Sequence, residues 1–269
     1  MQTTGNVILN CRATKIKGYD TWVNFSNFDQ ESDFFLTSAN SYQDSSKPSF
    51  YRVDNEQTKF STYSLHLSNY YSLYTNSIAS ITTTNTDFTI SIWAYTKLFP
   101  YRPNTDANRS SGNMSPVIFN QVYQYIPIDT SSNINPNVNL LVMNTTSNTW
   151  PNYDVTIPNV FSKWNHIAIT RNGNTFRLFY NGIKYFEASR SDAKWRNNLV
   201  LGGPYCDQWF DDLVAIQGDC LWTSNFTPPT SYLLDNEYKM PDESIKKYNV
   251  MCSNIDRDKL FLDSTLKQY

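Results

Sequence analysis

A chain of 269 residues with a formal net charge of −2 can form one large all-β domain, and its 22 Lys and Arg make no clustered basic run. That excludes nucleic acid as a main partner, since affinity for a phosphate backbone rests on a basic patch. Charged residues are 17% of the chain against roughly 25% in an ordinary globular protein, while 19 Tyr and 16 Phe accompany abundant Asn, Ser and Thr, a balance that suits strands and polar loops.

The opening MQTTGNVILN has no basic region followed by an apolar run, and no stretch reaches the roughly 18 apolar residues that span a bilayer. A soluble protein with no export signal and no membrane insertion is expected. Val7-Ile8-Leu9 opens the sheet, and Asp33 to Thr37 is a second short strand. Residues 38–62 are polar and turn-rich and predict a loop, interrupted by one strand near Phe50 to Val53. Tyr63 to Ser68 alternates, with Leu65 and Leu67 on one face and His66 on the other; the lone imidazole reads as a packed or solvated strand residue in preference to a ligand. Tyr70, Tyr71 and Leu73 belong to the next strand. Thr86 to Tyr95 is apolar on both sides, with Phe88, Ile90 and Ile92 opposing Trp93 and Tyr95, the pattern of a central strand. A long exposed loop follows at about 98–116, and loops of that length are usually functional or mobile. Val117-Ile118-Phe119 and Asn139 to Met143 are further strands.

Trp164 to Phe186 carries the clearest signal. Ile167 and Ile169 point one way and His166, Ala168 and Thr170 the other, and Phe176, Leu178 and Tyr180 oppose Arg177 and Phe179. Asn172-Gly173 and Asn181-Gly182 suit type I′ turns, whose two central residues need positive φ, so the stretch predicts a three-stranded antiparallel meander. Asn198 to Gly203 is another strand. The loop Pro204 to Trp209 leads to Phe210 through Ile216, with Phe210, Asp212, Val214 and Ile216 expected to share a face. Past Pro229 the character changes: Pro241-Asp242-Glu243 resembles a helix first turn, and Ile245, Tyr248, Cys252 and Ile255 fall on one helical face. Leu260, Phe261, Leu262 and Leu266 form a second apolar group.

The segments DFTISIWAY, FSKWNHIAITRNGNTFRLFYNGIKY, NLVLGG and WFDDLVAIQGDCLWTSNFTPP resemble the successive signatures of laminin-G-like, concanavalin A-like jelly rolls. VILNC and KFSTYSLHLSNYYSLYT fall where that family places its first strands. The closing form, Phe210-Asp211-Asp212-Leu213 leading to Trp222 and Pro229, is similar to copies of the domain in bacteriophage structural proteins. The resemblance implies a two-sheet antiparallel jelly-roll sandwich over residues 1–230, followed by a short, partly helical C-terminal extension over 231–269. The extension has too few apolar residues for a core of its own. It is expected to dock, on a neighbouring subunit in preference to the sandwich, through Ile245, Tyr248, Ile255, Leu260, Phe261 and Leu262.

Chemistry is sparse in the sequence. Cys11, Cys206, Cys220 and Cys252 form no C-x-x-C and have no His at metal-ligand spacing, and they read as free thiols. The jelly-roll glucanase pattern E-x-D-x-x-E has its nearest match in Glu31-Ser32-Asp33 to Leu36, which lacks the last acid, so no enzyme is expected. Asp211 looks like the acidic position the family carries at the start of its penultimate strand. Calcium has some appeal there, since hard cations want carboxylate oxygens, but no specific motif supports a cofactor, and acceptance of backbone hydrogen bonds is preferred. The resemblance therefore implies a non-catalytic virion component, a decoration or tail-associated protein assembled in a host cytoplasm and acting outside it. Its partners would be other virion proteins, copies of itself and cell-surface glycans. The alternative is a carbohydrate-binding module in which Trp150, Tyr205 or Trp209 on a loop stacks on a sugar, near Asp211.

Overall fold

Period-two alternation places one residue set on each side of a strand, and an apolar run on both sides requires that each face be covered. The computed structural model describes residues 5–16, 19–24, 34–38, 50–60, 62–68, 71–75, 86–98, 117–119, 122–125, 138–142, 152–157, 161–189, 199–202, 206–234 and 249–253. Within them the strands are β1 (Asn6–Ile16), β2 (Tyr19–Asn24), β3 (Phe34–Ser38), β4 (Phe50–Asp54), β5 (Ser64–Ser68), β6 (Tyr71–Thr75), β7 (Phe88–Leu98), β8 (Val117–Phe119) and β9 (Val122–Tyr125). They continue as β10 (Val138–Val142), β11 (Asn152–Ile157), β12 (Trp164–Asn172), β13 (Thr175–Tyr180), β14 (Ile183–Ser189), β15 (Leu199–Leu201), β16 (Cys206–Gln217) and β17 (Asn249–Ser253).

One sheet runs β14-β13-β12-β7-β16-β1-β2-β17, and the hairpin β4-β5 joins it along the first half of β16. The other runs β11-β10-β9-β8-β15-β6-β3. Together they form the antiparallel jelly-roll sandwich. The expected meander is β12-β13-β14, and the expected faces hold: Ile167 pairs with Ile92 and Ile169 with Ile90, while His166 pairs with Trp93 and Ala168 with Ser91. All eight of these side chains are buried. Each fully buried Ile contributes about 1.5–3 kcal/mol.

The face bearing His166, Ala168 and Thr170 is covered by the irregular segment 218–234. Trp222, Leu233 and Leu234 pack there with Ala168, Phe179, Val214 and Ile216. Polar ties fix the segment in place: Thr170 Oγ1 donates to the Trp222 carbonyl at 2.8 Å, and Thr89 Oγ1 donates to the Asp219 carbonyl at 3.0 Å while accepting from the Leu221 NH at 2.9 Å. The buried core thus continues through Leu233 and Leu234.

Three sequence expectations change. Asn172 pairs with Thr175, so the first hairpin turns at Gly173-Asn174, with φ 57° at Gly173 and no positive φ at Asn174; positive φ at the first central residue alone is the type II′ pattern. Asp87 explains the shift, because its carboxylate accepts the Gly173 NH at 2.7 Å and the Asn172 side-chain amide at 3.0 Å. The second turn is type I′ as expected, with φ 49° at Asn181 and 76° at Gly182. In β16 a bulge between Asp211 and Val214 breaks the alternation: Phe210 pairs with Ala94 but Val214 with Ser91, so these two side chains lie on opposite faces. Finally, the helix expected through Cys252 is a strand where the tail is described. Asn249–Ser253 pairs with β2 of its own chain, where the sheet edge offers backbone partners that a helical stripe interrupted by the polar Asn249 cannot match. Ile245, Tyr248, Ile255, Leu260, Phe261 and Leu262 lie outside the described residues, as do the loop at about 99–116, Trp150 and Tyr205.

Candidate functional site

The site forms where β4, β5 and the first half of β16 meet. Alternation in β5 buries Leu65 and Leu67 on one face and turns His66 to the other, and pairing in register sets Asp54 opposite Ser64 and Trp209 opposite His66. Asp207 and Trp209 lie two apart on β16 and therefore share that face. The imidazole of His66 is stacked on the indole of Trp209, with ring centroids 3.9 Å apart and planes inclined by 27°. Its Nδ1 lies 2.6 Å from Asp54 Oδ2, and its Nε2 lies 3.6 Å from Asp207 Oδ1. Trp209 Nε1 donates to Asp54 Oδ1 at 3.1 Å, and the Glu56 NH donates to the same oxygen at 3.2 Å, which curls the chain after β4 so that Glu56 faces the group. Burial, the largest influence, lowers the pKa of His66; the hydrogen bonds and charges of Asp207 and Asp54 together outweigh it, and the value is raised.

Register extends the site across the sheet. Trp209 pairs with Tyr95, and Tyr95 with Trp164, so Trp164, Tyr95, Trp209 and His66 form one row over four strands. The Tyr95 ring meets Trp164 edge-on at 5.9 Å and Trp209 at 5.6 Å. Trp164 and Tyr95 are half-buried whereas Trp209 and His66 are buried, so the row rises from a closed, charged end to an open aromatic end.

Asp211 lies one pair further along, fully buried at the bulge. Its Oδ1 accepts the Asp212 NH at 2.9 Å and its Oδ2 the Phe60 NH at 3.2 Å. Asp212, at φ 49°, accepts the Leu233 NH on Oδ2 at 2.8 Å. Both carboxylates thus fasten loops to the bulge, the use preferred for Asp211 from the sequence. Lys59 spans the same region, its ammonium 3.6 Å from the Trp93 ring centroid; burial lowers its pKa against the opposing charge of Asp211.

Of the residues expected to bind ligand, Trp209 sits inside β16 and is 2% exposed, so both its stacking face and its NH are taken up within the protein. Asp54, Glu56, Tyr95, Asp207 and Trp164 were missed. The signal for them is Asp54-x-Glu56 and His66 flanking a hairpin, with Tyr95 and Trp164 on the parity of Trp93 and His166.

The family described as concanavalin A-like lectin/glucanases superfamily matches residues 67–215, more than half of the chain. The chain belongs to that superfamily. No curated protein sequence matches it. Among solved structures, this superfamily member is similar to the binding domain of Paraclostridial Mosquitocidal Protein 1, with a TM-score of 0.52 and 14% identity over 81% of this chain and 50% of that one. It is also similar to the binding domain of botulinum neurotoxin serotype G, with a TM-score of 0.46 and 12% identity over 81% of this chain and 49% of that one. A third similarity is to domain 4 of AbnA, an extracellular arabinanase of Geobacillus stearothermophilus, with a TM-score of 0.45 and 10% identity over 80% of this chain and 94% of that one. The chain spans about half the length of the toxin binding domains.

Proposed function

We propose that this concanavalin A-like domain is a non-catalytic recognition module that binds carbohydrate. The observation that carries the reading is the aromatic row: half-buried Trp164 and Tyr95 lie beside Trp209 and end on the carboxylates of Asp207 and Asp54. A sugar presents an apolar C–H face and a rim of hydroxyls, and a half-exposed aromatic ring near hydrogen-bond acceptors complements both. Membership in a superfamily that includes lectins supports the same class. The non-catalytic part of the reading is supported by how the acids are used. Asp211 and Asp212 accept backbone NH groups, and Asp54 is engaged by Trp209 and His66. The test is a glycan array with the purified chain, followed by titration of any hit against Trp164→Ala and Tyr95→Ala. Each substitution is expected to weaken binding about tenfold or more while the fold is retained. An array without hits, or hits that both variants keep, overturns the reading.

A second reading, a structural component of a phage virion that carries this recognition function, is favoured by the closing segment from Phe210 to Pro229, which resembles those of phage structural proteins. Mass measurement of the native assembly tests it: a higher-order homo-oligomer or co-purifying virion proteins support it, and a lone monomer counts against it.

A further inference from the structure

We propose that Asp54, Glu56 and His66 form a binding site for one divalent transition-metal ion of the zinc class. The donor atoms of these three side chains lie within 4.8 Å of one another. The set mixes an imidazole nitrogen with two carboxylates, which suits zinc and its neighbours; calcium takes oxygen ligands throughout.

The surroundings are those of ligands held from behind. A metal-bound His ordinarily directs its second ring nitrogen to a carboxylate, and His66 has one placed for that role: Nδ1 faces Asp54, and Asp207 Oδ1 stands 3.6 Å from Nε2 on the far side of the ring, just outside hydrogen-bond length. Stacking on Trp209 fixes the ring plane, and the indole NH holds Asp54 Oδ1, leaving Oδ2 directed at the imidazole. Glu56 is exposed and supplies both the third ligand and the side from which an ion enters. In the ion-free arrangement Nδ1 and Oδ2 are 2.6 Å apart, held by a hydrogen bond. Two ligands on one ion at about 2.0–2.2 Å each stand roughly 3.3 Å apart, so binding replaces that proton with the metal and separates the pair by under about 1 Å. Three protein ligands leave a coordination position open to water or to a ligand hydroxyl, beside the aromatic row. The inference does not rest on the carbohydrate reading, because its probe is the metal alone.

The experiment is isothermal titration of the chelator-treated full chain with Zn²⁺ and, in parallel, Ca²⁺. One equivalent of Zn²⁺ is expected to bind and to raise the melting temperature. His66→Gln and the surface change Glu56→Gln should each weaken binding about tenfold or more, and Asp207→Asn, which touches no metal, about tenfold. Glu187→Gln, distant on β14, should change nothing. Because Glu56 is exposed, its variant keeps the test decisive if His66→Gln fails to fold. Absence of saturable Zn²⁺ binding at millimolar metal overturns the proposal. So does Zn²⁺ binding that Glu56→Gln leaves intact, or binding of Ca²⁺ alone.

Discussion

His166 shows how one residue on the covered face couples the fold to pH. Its Nε2 is 2.8 Å from Ser91 Oγ, and its ring meets Trp93, Trp222 and Phe226 edge-on at 5.1, 5.6 and 5.6 Å. Burial, and after it the charge of Lys59, lowers its pKa from 6.5 to about 3. The folded value lies below the unfolded one, so the unfolded chain takes up the proton first as pH falls. Stability is therefore lost between pH 6.5 and about 3, on the order of 5 kcal/mol from this group. Urea unfolding at several pH values should show His166→Gln losing less stability than the wild type across that window; parallel curves would refute the assignment. Asp211 carries a second prediction. Truncation to Ala strands the Phe60 and Asp212 NH groups and should cost about 2–4 kcal/mol, while Asn, which keeps one acceptor oxygen, should cost less.

Among elements, the two hairpins of the meander share an Asn-Gly signature and differ in what surrounds it. Gly173 has φ 57° and open space where a Cβ would go. Gly182 has φ 76°, its carbonyl accepts the Phe226 NH at 2.9 Å, and an added Cβ would collide with the Phe226 carbonyl. The Asn225 side chain also accepts the Lys184 NH at 2.8 Å, so the second turn is clamped to the covering segment. Gly173→Ala should therefore cost only the positive-φ strain of about 1–3 kcal/mol. Gly182→Ala must also displace backbone and should cost more than about 3 kcal/mol. Equal losses in thermal unfolding would show that the covering segment does not hold this turn.

At the scale of the molecule, the tail closes a sheet edge. β17 pairs with β2, whose outer backbone groups would otherwise form an open edge available to another chain. Deleting residues 241–269 should lower the melting temperature by about 2–4 °C for each kcal/mol of pairing lost, and leave association unchanged or raise it. A truncated chain with an unchanged melting temperature that no longer associates would instead support the docking role expected for the tail. The same pairing shows how the sandwich can end in irregular structure: one face of the larger sheet is covered by 218–234, and its end by a strand from beyond it.

The sequence by itself determined the strands and their faces. Period two in Trp164 to Tyr180 and in Phe88 to Tyr95 is a local consequence of backbone geometry, and burial of Ile167, Ile169 and Trp93 follows once both sides are apolar. Family membership was legible for the same reason, since its signatures are strands and turns read along the chain. Only tertiary structure decided the candidate site. Asp54 and Asp207 are separated by most of the chain and come to opposite sides of His66 because β5 pairs with both β4 and β16; Trp209 passes from a presumed loop into a buried strand because Tyr95 and His66 flank it in register. The bulge at Asp211 belongs to the same class: β16 exchanges β5 for β1 as its neighbour there, and an alternation pattern counted along one strand carries no record of which strands lie beside it.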